Sequence, residues 1–80
     1  MPRSHRVAVL GGGSFGTVIA NIVACNGHRV ALWGRNVERV ATINEKHENT
    51  DYLPGYHLDS RLRATTSLAD AVTDTDIVFV

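Results

Sequence analysis

Gly11, Gly13 and Gly16 stand at the G-x-G-x-x-G spacing inside the stretch "VAVLGGGSFGTVIA", Val7 to Ala20. Glycines so spaced suit one task well, which is to offer bare backbone amides to phosphate. The spacing alone is common, but four apolar residues precede this instance and helical periodicity follows it, the setting of a dinucleotide fingerprint. Gly11 then permits a tight turn, Gly13 lets a pyrophosphate approach the backbone, and Gly16 lets helix and strand pack closely. The amides around Ser14, Phe15 and Gly16 point at the anion, and the helix dipole adds roughly 0.3–1 kcal/mol. A Walker-type loop is excluded, because no Gly-Lys-Ser/Thr follows.

The next diagnostic position lies about twenty residues on, where an acidic residue would meet a ribose 2′-hydroxyl. The sequence there reads Trp33-Gly34-Arg35. With no carboxylate present, Arg35 is the group to face a 2′-phosphate, and Arg39 is placed to assist, so NADP(H) is expected over NAD(H). Ser14 has no histidine base at a predictable position and reads as a phosphate contact. His5, His28, His47 and His57 share no metal-ligand spacing and read as surface residues. Tyr52, beside Pro54-Gly55, reads as an aromatic pinning a loop. No catalytic or metal-ligating residue is assigned.

The elements that must hold these groups follow from periodicity. Arg6–Gly11 reads as a strand buried on both faces. Phe15, Val18, Ile19, Ile22 and Val23 fall on one helical stripe expected to pack on a sheet, and Asn26-Gly27 stops that helix. Arg29–Trp33 is a second strand, completing a βαβ unit with a right-handed crossover. Asn36 caps a second helix through about Lys46, with Val37, Val40, Ala41 and Asn44 on one face and Glu38, Arg39 and Glu45 mostly outward. Residues 48–60 lose periodicity and read as a loop anchored by Leu53 and Leu58. Arg61–Thr66 resumes strand character, Ser67 with Asp70 opens a short helix through Val72, and "DIVFV" begins another buried strand.

Composition narrows the classes. Eight Lys plus Arg balance eight Asp plus Glu, so nucleic acid and membrane surfaces gain no electrostatic support as partners. The basic start is followed by too short an apolar run for a signal peptide or membrane span, which makes the cytoplasm the default location. Cys25 is the single cysteine, so no internal disulfide can form, and it reads as a buried or half-buried helix residue. Eighty residues make one small domain at most.

These residues carry a resemblance. "GGGSFGTVIA" resembles the nucleotide-binding stretch of NAD(P)-dependent glycerol-3-phosphate dehydrogenases, usually Gly-Ala-Gly-Ser-aromatic-Gly-Thr-Ala-hydrophobic-Ala, with Gly12 and Val18 replacing alanines. "NGHRVALWGRN", "NEKHENTDYLPGYHL" and "DTDIVFV" are similar to further segments of that family, and the Tyr-Leu-Pro-Gly part is the specific one. The resemblance implies a homodimeric enzyme that interconverts dihydroxyacetone phosphate and sn-glycerol 3-phosphate with NAD(P)H and feeds glycerophospholipid synthesis. It implies cofactor contacts at Ser14, Phe15 and Arg35. The family's catalytic and substrate-binding lysines lie downstream, and Lys46 matches neither.

The expected architecture is α/β, a Rossmann-type parallel sheet with helices on both faces and strand order 3-2-1-4. Residues 1–80 are read as the N-terminal part of a dinucleotide-binding domain, with the rest of it and a helical substrate domain outside the chain. The rival reading is a non-catalytic, nucleotide-sensing Rossmann regulatory module.

Overall fold

The computed structural model describes residues 5–11, 13–50 and 54–80. Strands β1 (Arg6–Leu10), β2 (Arg29–Trp33), β3 (Leu62–Thr65) and β4 (Ile77–Phe79) alternate with helices α1 (Ser14–Cys25), α2 (Val37–Lys46) and α3 (Leu68–Val72). All neighbours in the sheet are parallel, in the order β3-β2-β1-β4, as the sequence led us to expect. Val7 stands opposite Val30 on one side and Ile77 on the other, and Val30 stands opposite Leu62.

Alternation along the strands divides the sheet into two layers. Val7, Val9, Val30, Leu32, Leu62 and Ala64 turn to one core, which Ala20 and Ala24 of α1, Ile43 of α2 and Leu58 complete. Ala8, the residue between Val7 and Val9, is also fully buried, and Ala71 of α3 is buried outside that core. The crossover from β3 to β4 thus puts α3 on the opposite face. Leu58 anchors its loop as expected. Tyr52 and Leu53 lie outside the described residues.

Four expectations from the sequence are corrected. The first is β4, read as another buried strand but exposed at Ile77, Val78 and Phe79 because it lies at the end of the sheet. The stripe of α1 that meets the sheet is Thr17, Ala20, Asn21 and Ala24, whereas Phe15 is 78% and Ile22 is 53% exposed. Only Val23 of the expected stripe packs against the core, with Val18 and Ile19 half-buried. The cause is distance. A Cβ on Gly16 would collide with the Gly11 carbonyl oxygen, so the helix starts against the strand and only small residues fit the turns that follow. On α2 the inward residues are Val40, Ile43 and Asn44, while Val37 is 70% exposed and Ala41 is exposed. Cys25, at the end of α1, is exposed rather than buried.

The caps agree with the sequence. Asn36 accepts a hydrogen bond from the Arg39 amide at 2.9 Å, and Ser67 accepts one from the Asp70 amide at 3.2 Å. Glu38 and Asp70 sit in first turns, where a negative charge favours the helix dipole. β3 is shorter by one residue at each end than the periodicity suggested.

Candidate dinucleotide site

The C-terminal ends of β1 and β2 open into a cleft of about 230 Å³. Its rim carries Gly11, Gly13, Arg35 and Arg39, and Val40 and Ile43 contribute an apolar floor. Two hydrogen bonds continue the sheet to its mouth: the Gly11 amide donates to the Trp33 carbonyl at 2.8 Å, and the Gly34 amide to the Thr65 carbonyl at 3.0 Å. The sheet is therefore extended along one side of the cleft, beside the α2 residues.

Gly11 has φ +126°, a backbone conformation that side chains disfavour, and the chain turns sharply there. Gly13 caps α1 with no side-chain hydrogen bond, and the first intrahelical bond in this turn runs from the Thr17 amide to the Gly13 carbonyl at 2.9 Å. The amides of Ser14, Phe15 and Gly16 precede that bond and are available to an anion. No acidic residue occupies this first turn, unlike those of the other two helices. A Cβ added at Gly13 meets nothing within 4 Å, so the glycine faces open space that a ligand can enter. A pyrophosphate fits this loop on charge, donor supply and room.

Arg35 is exposed, with its guanidinium carbon 5.9 Å from the centroid of the Trp33 ring. The indole is itself fixed, since Trp33 Nε1 donates to the Thr66 carbonyl at 3.0 Å. Among the described residues no carboxylate pairs with Arg35. The guanidinium is thus steered by an aromatic face and keeps its donors for a ligand. Arg39, one turn into α2, lines the same cleft. Ser14 and Phe15 are exposed at the start of α1.

The support beneath the glycine turn went unread in the sequence. Thr17 Oγ1 donates to the Gly13 carbonyl at 2.8 Å and accepts from Asn49 Nδ2 at 2.9 Å, and both side chains are fully buried. Asn21 Oδ1 accepts from the Asp59 amide at 2.7 Å, while Asn44 exchanges two hydrogen bonds with Ala64, at 2.8 and 2.9 Å. Four short polar side chains stitch the helices to loop and strand. For Thr17, Asn21 and Asn44 the available signal was their position at inward turns of the helices, where periodicity favours apolar residues; Asn49, in the loop after α2, offered none.

The histidines do not converge on a metal site: among the described residues no group of three or more His, Cys, Asp or Glu side chains is placed to hold an ion. His5 and His57 are exposed as expected and His28 is half-buried. His47 departs from the expectation, because it ends α2 in the left-handed conformation, φ 54°, with its Nδ1 buried. No helix among the described residues is long and apolar enough to cross a membrane.

A parallel sheet of this order, with a glycine turn feeding a helix at its C-terminal edge, defines a Rossmann-type dinucleotide-binding domain. Comparison with known proteins makes the assignment particular. The chain belongs to the family described as NAD-dependent glycerol-3-phosphate dehydrogenase N-terminus, whose model matches residues 6–80. It is 53% identical over 78 residues to the glycerol-3-phosphate dehydrogenase (NAD(P)+) of Teredinibacter turnerae, covering 98% of this chain and 23% of that protein. The Latilactobacillus sakei enzyme of the same name is 54% identical over 72 residues, covering 90% of this chain and 21% of the relative. The crystal structure of the Coxiella burnetii glycerol-3-phosphate dehydrogenase superposes with a TM-score of 0.87 at 31% identity, over 96% of this chain and 24% of that one. The chain spans about a quarter of the length of the relatives it matches.

Proposed function

We propose that this chain supplies the cofactor-phosphate cradle of an oxidoreductase that interconverts dihydroxyacetone phosphate and sn-glycerol 3-phosphate with NAD(P)H. The observation that carries the proposal is the uncapped start of α1 at Gly13, facing open space beneath a rim that holds Arg35 and Arg39. In this reading the turn from Gly11 to Gly16, with the amides of Ser14 and Phe15, holds the pyrophosphate, and Arg35 holds the ribose 2′-phosphate with Arg39 beside it. NADP(H) is therefore preferred over NAD(H), each charge-assisted contact being worth roughly 1.5–3 kcal/mol. The apolar side chains of Val40 and Ile43 suit the adenine.

The nicotinamide, when bound, supplies the hydride. What these residues do is hold and orient: the amides fix the phosphates, and the sheet edge sets the depth of the cleft. No proton donor and substrate clamp are assigned among them. We assign those roles, the homodimer contact and the substrate domain to the portion of the parent enzyme beyond these eighty residues. We place that enzyme in the cytoplasm, feeding glycerophospholipid synthesis.

A chimera tests the reading: residues 6–80 replace the aligned segment of the Teredinibacter turnerae dehydrogenase. Oxidation of NADPH that depends on dihydroxyacetone phosphate is expected. A folded chimera that binds neither cofactor would reject it in favour of a purely structural Rossmann module.

A further inference from the structure

At the other end of the sheet, away from the glycine turn, a second cleft of about 550 Å³ is lined by Arg6, Arg29, Arg61 and Arg63, with Asp70 of α3 on its wall. Four of the chain's eight lysine and arginine residues thus meet in one concavity of a protein with no net charge. Register places them. Arg6 stands opposite Arg29, and Arg63 stands opposite Ala31, two residues along from Arg29. Alternation puts all three on the face that carries Ala8, Ala31 and α3.

Like charges placed directly opposite each other on a sheet are destabilising. Partial compensation exists at the edges, where Arg61 Nη1 lies 3.3 Å from Asp59 and Arg6 Nη1 lies 4.0 Å from Asp74. Among the described residues no carboxylate pairs with Arg29 or Arg63, and both are exposed. Two guanidiniums therefore retain their donors inside a walled cleft, beside a repulsive pair that an anion would relieve.

We propose that this cleft is an anion site for a small molecule bearing two or more phosphate groups. Neighbouring strands lie about 4.8 Å apart, so arginines spread over β1, β2 and the start of β3 span roughly 10 Å, too far for one phosphate. The wall formed by α3 favours a slender ligand over a flat, charged surface. The site is separate from the dinucleotide cleft, with which it shares no lining residue.

The test is a titration of tripolyphosphate into the chain, read at the arginine Nε–Hε resonances. Saturable shifts are expected at Arg29 and Arg63, with the affinity there unchanged in Arg35→Gln. Orthophosphate should bind more weakly. In Arg29→Gln, followed at Arg63, affinity should fall about tenfold, while the thermal midpoint without anion should rise and its gain on adding tripolyphosphate should shrink. The proposal is overturned by shifts that never saturate, by an Arg29→Gln variant that binds as tightly as the parent, or by equal weakening in Arg35→Gln. Association with phosphatidylglycerol vesicles without any response to tripolyphosphate would likewise reject it in favour of a membrane contact.

Discussion

Asn49 Nδ2 donates to the Thr17 hydroxyl at 2.9 Å, beneath the turn that begins α1. That hydroxyl in turn donates to the Gly13 carbonyl at 2.8 Å. A loop residue and a helix residue, 32 positions apart in the chain, thereby clamp the glycine turn from below. Both side chains are inaccessible to water, so neither can trade the lost contact for solvent. Asn49→Ala should cost about 1–3 kcal/mol, the usual penalty for orphaning a buried polar partner. The midpoint of urea unfolding measures this, and weaker NADPH binding should accompany it because the Gly13 carbonyl loses its indirect support.

Gly13 and Gly16 should respond oppositely to the same substitution. Gly16→Ala drives a methyl group into the Gly11 carbonyl, a backbone atom that has no rotamer to yield. The expected loss is about 1–3 kcal/mol or more of stability. Gly13→Ala meets no protein atom within 4 Å and should leave the circular dichroism spectrum and thermal midpoint almost unchanged while obstructing cofactor phosphates. Thermal melts paired with NADPH titration separate the two effects, and unchanged affinity in Gly13→Ala would place the phosphates elsewhere.

Arg35 decides between cofactors if the Trp33 ring steers it to a 2′-phosphate. Arg35→Asp should weaken NADPH by at least tenfold, the equivalent of about 1.4 kcal/mol, and should alter NADH little. Parallel fluorescence titrations with both cofactors give the ratio. Equal losses would assign Arg35 to the pyrophosphate instead.

The outer strand of the sheet makes a prediction about association. β4 lies at one end of the order, and Ile77, Val78 and Phe79 are all exposed. An apolar, uncharged edge is a template for further pairing. The 80-residue chain should self-associate at high micromolar concentration, and Phe79→Lys should shift sedimentation velocity profiles towards monomer. Identical profiles for both proteins would mean that β4 is not the contact.

The strands and the phosphate turn were legible in the sequence because both are local signals. A run such as Val7–Leu10 needs no knowledge of its neighbours to read as buried strand, and the glycine spacing has its meaning within six residues. The strand order followed from the Rossmann reading of the glycine turn, whose first four strands are ordered 3-2-1-4. The orientation of α1 was not legible. Hydrophobicity selected Phe15 and Ile22 for the core, but the close approach at Gly16 selects by size, so Ala20 and Ala24 fill the places that periodicity gave to larger residues. Nor were the clamps at Asn21, Asn44 and Asn49 visible, since a buried asparagine is intelligible only once the carbonyl or amide it meets has been placed by the rest of the fold.

The pairing of β1 with β4 bears on how the chain acquires its structure. Arg6 donates its amide to Asp76 at 3.0 Å across 70 positions of sequence, and Val9 pairs with Phe79 at the same separation. One flank of the innermost strand is therefore left open until residue 79 has emerged from the ribosome. At about 5–20 residues per second, 70 residues take roughly 4–14 s, orders of magnitude longer than helix formation or loop closure. During that interval β1 can pair with β2, and β2 with β3, but the backbone of residues 7–9 still has an unpaired edge. The nascent chain is thus most exposed to wrong partners at the strand that later carries the glycine turn, and chaperone capture of ribosome-bound intermediates should fall once β4 is released.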